Sequence, residues 1–439
     1  MAMRLTRRSL VGSVPLIGGA AVIGRPSSAI AAPAVMQAGD KVTVTFWHTW
    51  GSGTGAEAMA ELVAGFHEAN TDVEIVPVPF DGYEAIAASL VSGLQTGDVP
   101  DAVIFSENWW FQFYMAEALV DLNTLIRPET NVDDYVQSLF VEYQRNGGQW
   151  AIPFARSTPL LYYNNELLEK AGFTGDVFAA WSTLQEQGED LIAAAGTDTA
   201  LDIGGGTGNY TWYLQGTVWG YGGAYSDDDF TLKFLDEGTL NATHAIKDLV
   251  DRGIVGTVTD QNINFYNQAT IAIFNSTGSL GGVRENVEFD FVTAFLPEGD
   301  QGFGCNTGGS GIALLNTSAP EVQEAGFRWI EYATSPESTT LWAKATGYMP
   351  VRVSARESAD MQAYFEEEPN ARTAVDQLEL TNPVDYILIA VPNGEQLIGQ
   401  GWEDILINGT APEDGWSNTT GVFEVELEPV IERIAELEG

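Results

Sequence analysis

The chain of 439 residues has one cysteine, Cys305, and three histidines, His48, His67 and His244. A single thiol excludes a disulfide framework and any cysteine-rich metal site. Three scattered histidines leave little material for a zinc cluster or a serine triad. Positive charge is scarce too: 19 lysines and arginines stand against 61 aspartates and glutamates, for a net charge of −42. Such a surface repels nucleic acid and anionic membranes. No internal repeat and no low-complexity linker interrupts the sequence. The glycines from Gly204 to Gly208 lack the GK[ST] of a phosphate loop, and the dinucleotide-binding pattern is absent. Around Ser310 the spacing is GGSG rather than the GxSxG of a nucleophile elbow. Enzyme readings therefore have little to stand on.

What is present begins with a leader. "MRLTRRSLVG" pairs Arg7 with Arg8, an apolar run "LVGSVPLIGGAAVIG" follows, and "SSAIAAPA" supplies small residues for cleavage. Residues 1–32 read as an export signal of the twin-arginine type. The apolar run is broken by Gly and Pro and is too short to span a bilayer. No cysteine follows it closely, so there is no lipid attachment site. We expect a soluble, exported, periplasmic protein. The leader holds four arginines and no acid, so the remainder is more acidic still. Screening acts within about 8–10 Å at ordinary ionic strength, so an anionic ligand needs local donors to overcome that field.

From Val42 the pattern alternates. "VTVTF" reads as a strand, and "AEAMAELVAGFHEAN" sets Met59, Leu62, Val63 and Phe66 on one helical face. "VEIVPVPF" reads as a second strand, at an edge or bend because of its prolines. "YEAIAASLVSGLQTG" reads as a helix stopped by Gly97, "PDAVIF" as a buried strand, and "WWFQFYMAEALVDL" as helical. Strands alternating with helices predict an α/β domain with a mostly parallel sheet, and the length predicts two domains. In open α/β sheets ligands bind beyond the carboxyl ends of the strands. Three successive strand ends carry aromatic and polar residues: "FWHTWGSG" with Trp47, His48 and Trp50, "FDGYE" with Tyr83 and Glu84, and "FSENWW" with Glu107. Flat rings stack on sugar faces and hold cationic groups, while hydroxyls and glycine amides bond hydroxyl or phosphate oxygens. The bland reading is that the rings cap the core. "NSTGSLGG" (275–282) reads either as a donor-rich strand end before a helix or as an ordinary capped turn.

Several pieces occur in a fixed order: "FWHTW", "GYEA", "STPLLYYNNELLEKAG", "AIFNSTGSLGGVRE", "GGSGIALLN" and "KATGYMP", running from Phe46 to Pro350. In that order they resemble the extracellular solute-binding proteins of sugar-type ABC importers, nearest to the branch that binds sn-glycerol 3-phosphate. The resemblance implies a two-lobed α/β periplasmic-binding-protein fold, maltose-binding-protein-like, with the ligand in a cleft between the lobes. It places lobe one at residues 41–153 plus 300–337 and lobe two at residues 154–299 plus 338–439. It also implies roles for Tyr83 and Glu84 as a lobe-one pair and for Ser157 before "TPLLYYN". Trp212 would stack, and Ser279 would stand in the "GSL" turn. Gly309, or else Gly308, would turn its amide to the ligand, and Tyr348 would contribute from "TGYMP". Trp219 joins Trp47, Trp50 and Trp212 as a stacking candidate. Two positions depart from the branch. Its second tryptophan falls near Asn209, where Tyr210 is adjacent, and its phosphate-pairing arginine falls near Ala390, where no arginine is close. That loss removes the strongest phosphate contact, with Arg156 and Arg284 as possible compensation.

The expected function is the substrate-binding component of an ABC importer. It would capture a small polyhydroxylated solute (a sugar, glycerol 3-phosphate or a glycerophosphodiester) by hinge closure and deliver it to permease subunits, as a monomer and without nucleic acid. No catalysis, cofactor or metal is implied. The rival readings are a secreted carbohydrate-active enzyme and a carbohydrate-binding module.

Overall fold

The computed structural model describes residues 41–439 apart from Pro383. The export signal expected at residues 1–32 lies outside the described residues. Strand β1 (Val42–His48) pairs in parallel with β2 (Val73–Pro79) and with β3 (Ala102–Ser106). A short hairpin, β4 (Gln144–Arg145) and β5 (Gly148–Gln149), precedes β6 (Ile152–Ser157). With β12 (Gly308–Leu314) these make a five-stranded sheet in the order β2-β1-β3-β12-β6. The second sheet runs β11-β7-β10-β8-β9, from β7 (Pro159–Asn164), β8 (Thr199–Gly204), β9 (Val255–Val258), β10 (Thr270–Ser276) and β11 (Phe291–Ala294).

The local reasons are visible in the residues. Alternation along β1 buries Val44, Phe46 and His48. Helix α1 (Gly53–Ala69) buries Met59, Leu62, Val63 and Phe66 on one face. Helix α2 (Tyr83–Thr96) ends where Gly97 takes φ +82°, a left-handed position that suits glycine. Strand β2, with Pro77 and Pro79, lies at the sheet edge, where missing N–H donors cost least. Two apolar cores result. One gathers Phe46, Ile104, Trp110, Trp329 and Trp342 beside the first sheet. The other gathers Trp181, Leu201, Ile203, Leu214, Trp402 and Trp416 beside the second. Two indole N–H groups buried in the second core find partners, while that of Trp181 does not: Trp402 donates to Tyr225 at 2.8 Å and Trp416 to Thr243 at 2.8 Å.

Four expectations change. The sheets are mixed rather than mostly parallel, because β12 runs antiparallel to β3 and β6, and β7 antiparallel to β10 and β11. The helix after β3 is only Trp110–Met115, since Glu117 adopts φ 54°. Residues 152–157 belong with the first sheet, because β6 pairs β12 there. Helix Pro336–Thr346 also stays on that side, packed on α1. The edge strand β9 was unforeseen; it follows a helix that stops at Asp251.

The chain therefore crosses between the sheets at Thr158, between Ala294 and Gly308, and between Thr346 and Tyr386. Gln377 binds all three crossings. Its amide nitrogen donates to Thr158 Oγ1 (2.9 Å) and to the Pro159 carbonyl (2.7 Å), and its oxygen accepts from the Leu296 N–H (3.3 Å). The side chain is fully buried, so water has no ready access to replace these bonds. Gln377→Ala should lower unfolding free energy by about 2–4 kcal/mol by stranding buried polar groups. Urea unfolding checks it, and a loss under about 1 kcal/mol would remove Gln377 from this role.

Candidate functional site

Because β1, β2 and β3 are parallel, their carboxyl ends share one edge of the first sheet. The turns after β2 and β3 lie there, against the Thr207–Gly220 helix and the end of β10 from the second sheet. Between them is a cavity of about 290 Å³, close to the lower end of small-molecule sites. Seven of the expected site residues line it: Tyr83, Glu84, Glu107, Ser157, Trp212, Gly309 and Tyr348. They come from far-separated segments, each placed by a structural cause. Tyr83 and Glu84 open α2, and Ser157 ends β6 just before the first crossing. Trp212 is held by its indole N–H, which donates to the Thr307 carbonyl at 3.1 Å. Gly309 sits at an irregularity in β12 with φ +89°, and a Cβ there would strike the Ala155 carbonyl. Gly308 lies against the Trp212 ring, 2.5 Å from where its Cβ would be.

Five expected residues lie elsewhere. Trp47 packs on Phe80, ring centroids 4.7 Å apart. His48 is buried on the core side of β1, stacked between Phe46 (5.6 Å) and Trp50 (6.0 Å), and its Nδ1 accepts the Trp50 N–H at 3.1 Å. Trp50 meets Trp342 edge-on at 4.7 Å. Alternation buries His48 beside Phe46, while Trp47 and Trp50 are partly buried and pack against the first core. Trp219 donates to Asp385 at 2.9 Å. Ser279 donates to Asn275 at 2.8 Å, and it is Ser276, three residues earlier, that faces the cavity.

Sequence reasoning missed other lining residues, among them Ser106, Asn108, Trp109, Gly208, Asn209 and Glu395. The first three stand in "FSENWW", already marked as a strand end. Asn209 itself lines the cavity, whereas Tyr210 is buried in the second core. Glu395 follows the turn "PNG" and opens the Gly394–Leu406 helix; only the loop before it hinted at exposure. Ala390, where an arginine was sought, is fully buried.

The electrostatics are one-sided. Among the described residues lining the cavity, three are glutamates and none is a lysine or arginine. Arg156 lies beneath it, fully buried, with its terminal nitrogens engaged and its Nε without a partner. It donates to Tyr143 at 2.7 Å, to Glu142, and to Thr307 at 3.1 Å, with Glu107 only 3.7 Å away. Arg284 is turned to Tyr364 and Glu368. Burial raises the Glu107 carboxyl to about 8, with Arg156 opposing the rise. Burial, then the nearby Glu107 and Glu84 charges, pushes Glu395 well above its ordinary range. Burial holds the Tyr83 hydroxyl well above 10. Three buried polar atoms on the wall, Ser106 Oγ, Glu107 Oε2 and Asn108 Oδ1, have no hydrogen-bond partner, and Ser106 and Glu107 are only 6% and 4% exposed. Such atoms are costly unless a bound group satisfies them.

A second depression of about 620 Å³ runs between the Pro412–Glu438 helix and Phe230 and Leu232. It is an open groove with three glutamates on its rim, and no buried unpartnered polar side chain is aimed into it.

The pKa directions set a pH profile. Burial depresses His48 to about 4 from 6.5, so the stability it contributes is present above pH 6.5 and is lost as pH falls through about 4. Glu107 is raised from 4.5 to about 8, so its contribution is present below pH 4.5 and is lost as pH rises through about 8. Each shift is worth at most about 3–5 kcal/mol. Urea unfolding from about pH 4 to about pH 9 should show the acid-side loss flattened in His48→Asn, which keeps an acceptor for Trp50, and the alkaline-side loss flattened in Glu107→Gln. Profiles parallel to the parent would remove these two groups as the cause.

With the geometry established, comparisons give it a family. Residues 61–369 match the model for "Bacterial extracellular solute-binding protein". The sn-glycerol-3-phosphate-binding periplasmic protein UgpB of Yersinia pseudotuberculosis is 23% identical over 363 residues, 78% of this chain and 82% of that protein. The crystal structure of UgpB from Mycobacterium tuberculosis in complex with glycerophosphocholine superposes with a TM-score of 0.83 at 30% identity, covering 89% of this chain and 99% of that one. Maltose-bound MalE3 of T. maritima superposes with a TM-score of 0.76 at 21% identity, covering 88% and 99%, which speaks to the fold alone. The two sheets are thus the lobes of a periplasmic-binding-protein fold of the maltose-binding-protein type. The family binds solutes and does not convert them, which sets aside the enzyme and carbohydrate-binding-module readings. This chain belongs to the bacterial extracellular solute-binding proteins.

Proposed function

We propose that this protein is the substrate-binding component of an ABC importer. It captures a small polyhydroxylated solute between its lobes, closes over it by a hinge at the three crossings, and presents the closed form to membrane permease subunits. The lobes we assign are the two sheets with their helices: roughly residues 41–157 with 308–346, and residues 159–294 with 386–439, the three crossing segments forming the hinge. The observation that carries the reading is the cavity walled from both sheets by Tyr83, Glu84, Glu107, Ser157, Trp212, Gly309 and Tyr348. It combines ring faces with hydroxyls and carboxylates, the pairing that a sugar or glycerol backbone requires.

The relatives named above bind, by their names and titles, sn-glycerol 3-phosphate and glycerophosphocholine. Here the lining offers no arginine or lysine to a phosphate monoester. A neutral saccharide or a glycerophosphodiester fits this lining better than glycerol 3-phosphate. We propose that the protein acts as a monomer, without nucleic acid as a partner, and that its leader uses the twin-arginine route. No helix among the described residues is long and apolar enough to cross a membrane.

A thermal-shift screen of saccharides, glycerophosphodiesters and glycerol 3-phosphate tests the reading. A ligand at about 100 times its dissociation constant should stabilise by about 2.7 kcal/mol. Trp212→Ala should weaken that ligand by about tenfold or more, as loss of a stacking face requires, with folding unchanged by circular dichroism. Unchanged affinity would take Trp212 out of the site. For the leader, Arg7→Lys with Arg8→Lys should leave precursor in the cytoplasm by cell fractionation; normal export would exclude the twin-arginine route.

A further inference from the structure

The three glutamates of the cavity approach it from different parts of the chain. Glu84 stands in the first turn of α2, on the first sheet's edge. Glu395 stands in the first turn of the Gly394–Leu406 helix, which packs along the Thr207–Gly220 helix of the second sheet. They meet at Gly208. A Cβ placed on that glycine would be 3.6 Å from Glu84 Oε1 and 3.7 Å from the Glu395 carboxyl carbon. Glu107, at the base, is 4% exposed, and its Oε2 accepts no hydrogen bond. The nearest cation to it, Arg156, gives its terminal nitrogens to Glu142, Tyr143 and Thr307 and stands 3.7 Å from Glu107 Oε2, an ion pair without a hydrogen bond.

Glu84 and Glu395 face the same glycine, and burial with the neighbouring carboxylates pushes Glu395 towards its neutral form; a counter-charge between them would hold the carboxylates in their charged form. The amides that open the Thr207–Gly220 helix attract anions, but these two carboxylates already occupy that approach. Solute hydroxyls would satisfy carboxylate lone pairs without removing the charge. A cation does both, and the rings of Trp109, Trp212, Tyr83 and Tyr348, which line the same cavity, offer faces that attract one. Resting on the importer reading above, we infer that the transported solute carries a positively charged nitrogen on its hydroxylated body, seated among Glu84, Glu107 and Glu395. The lobes then close because the solute supplies the missing charge, and simple phosphate monoesters are rejected by the same carboxylates.

Isothermal titration with matched pairs tests this: D-glucosamine against D-glucose, and glycerophosphocholine against glycerol 3-phosphate. In a pair that binds, the nitrogen-bearing member should be tighter by about tenfold or more. Glu395→Gln and Glu84→Gln should each cut that preference to about threefold or less, while Glu395→Asp, which keeps the charge, should retain part of it. Neither glutamate is in an apolar core, and circular dichroism verifies folding. Glucose equal to glucosamine together with glycerol 3-phosphate equal to glycerophosphocholine overturns the inference and leaves the importer reading standing. So does a preference that survives both glutamine variants. Silence from all four probes and from a wider panel of neutral saccharides overturns the importer reading and the inference with it.

Discussion

The character of the cleft follows from one buried residue, Arg156. It stands next to the end of the first sheet's last strand, beneath the cavity floor, where a guanidinium is an obvious partner for an anionic solute. Instead it is fully buried and bound to Glu142, Tyr143 and Thr307, with Glu107 beside it. Removing one member of such a set would strand a buried charge, so the set holds together. Its cost falls on the cavity above: Glu107 is left partly unsatisfied, and among the described residues no lysine or arginine lines the walls. Among the described residues the cleft lining is acidic because the cation nearest to it, Arg156, is committed to partners beneath the floor.

The cleft exists at all because the strands stop where the chain changes sheets. Ser157 ends β6, Thr158 crosses, and Pro159 begins β7. So short a passage cannot be pulled aside, and Gln377 ties it to the two later crossings. The Pro412–Glu438 helix adds a brace on the side of the second core. It carries Trp416 and Phe423 into that core, and at its far end Glu438 pairs with Arg145 near the first sheet. Such a seam is what the proposed hinge closure requires: short crossings held together between two separately packed cores.

Twelve tryptophans occur in the chain, and composition does not say which of them serve the cleft. Six are fully buried in the two cores. Trp47 and Trp50, at the end of the first strand, are half-buried caps on aromatic neighbours. Trp212 differs because its indole N–H is anchored to a carbonyl at the seam, Gly308 lies against its ring, and it lines the cavity.

Hydrophobic periodicity, prolines at an edge and glycines at helix ends are local properties, so the sequence by itself determined the strands and helices of the α/β order and the two-core size. It determined, too, that the turns after the second and third strands deliver polar and aromatic residues to one edge, because parallel strands must end on the same side. It fell short wherever partners lie far apart in the chain. The bend of Glu117 that ends a helix early, the antiparallel return of β12, and the choice of Ser276 over Ser279 depend on neighbours that only folding supplies. The same holds for the burial of His48 and for the meeting of Glu84 with Glu395 at Gly208. Charge and apolarity are written residue by residue, but which charges face each other is decided by distance in space, and that distance is set only when both sheets have packed.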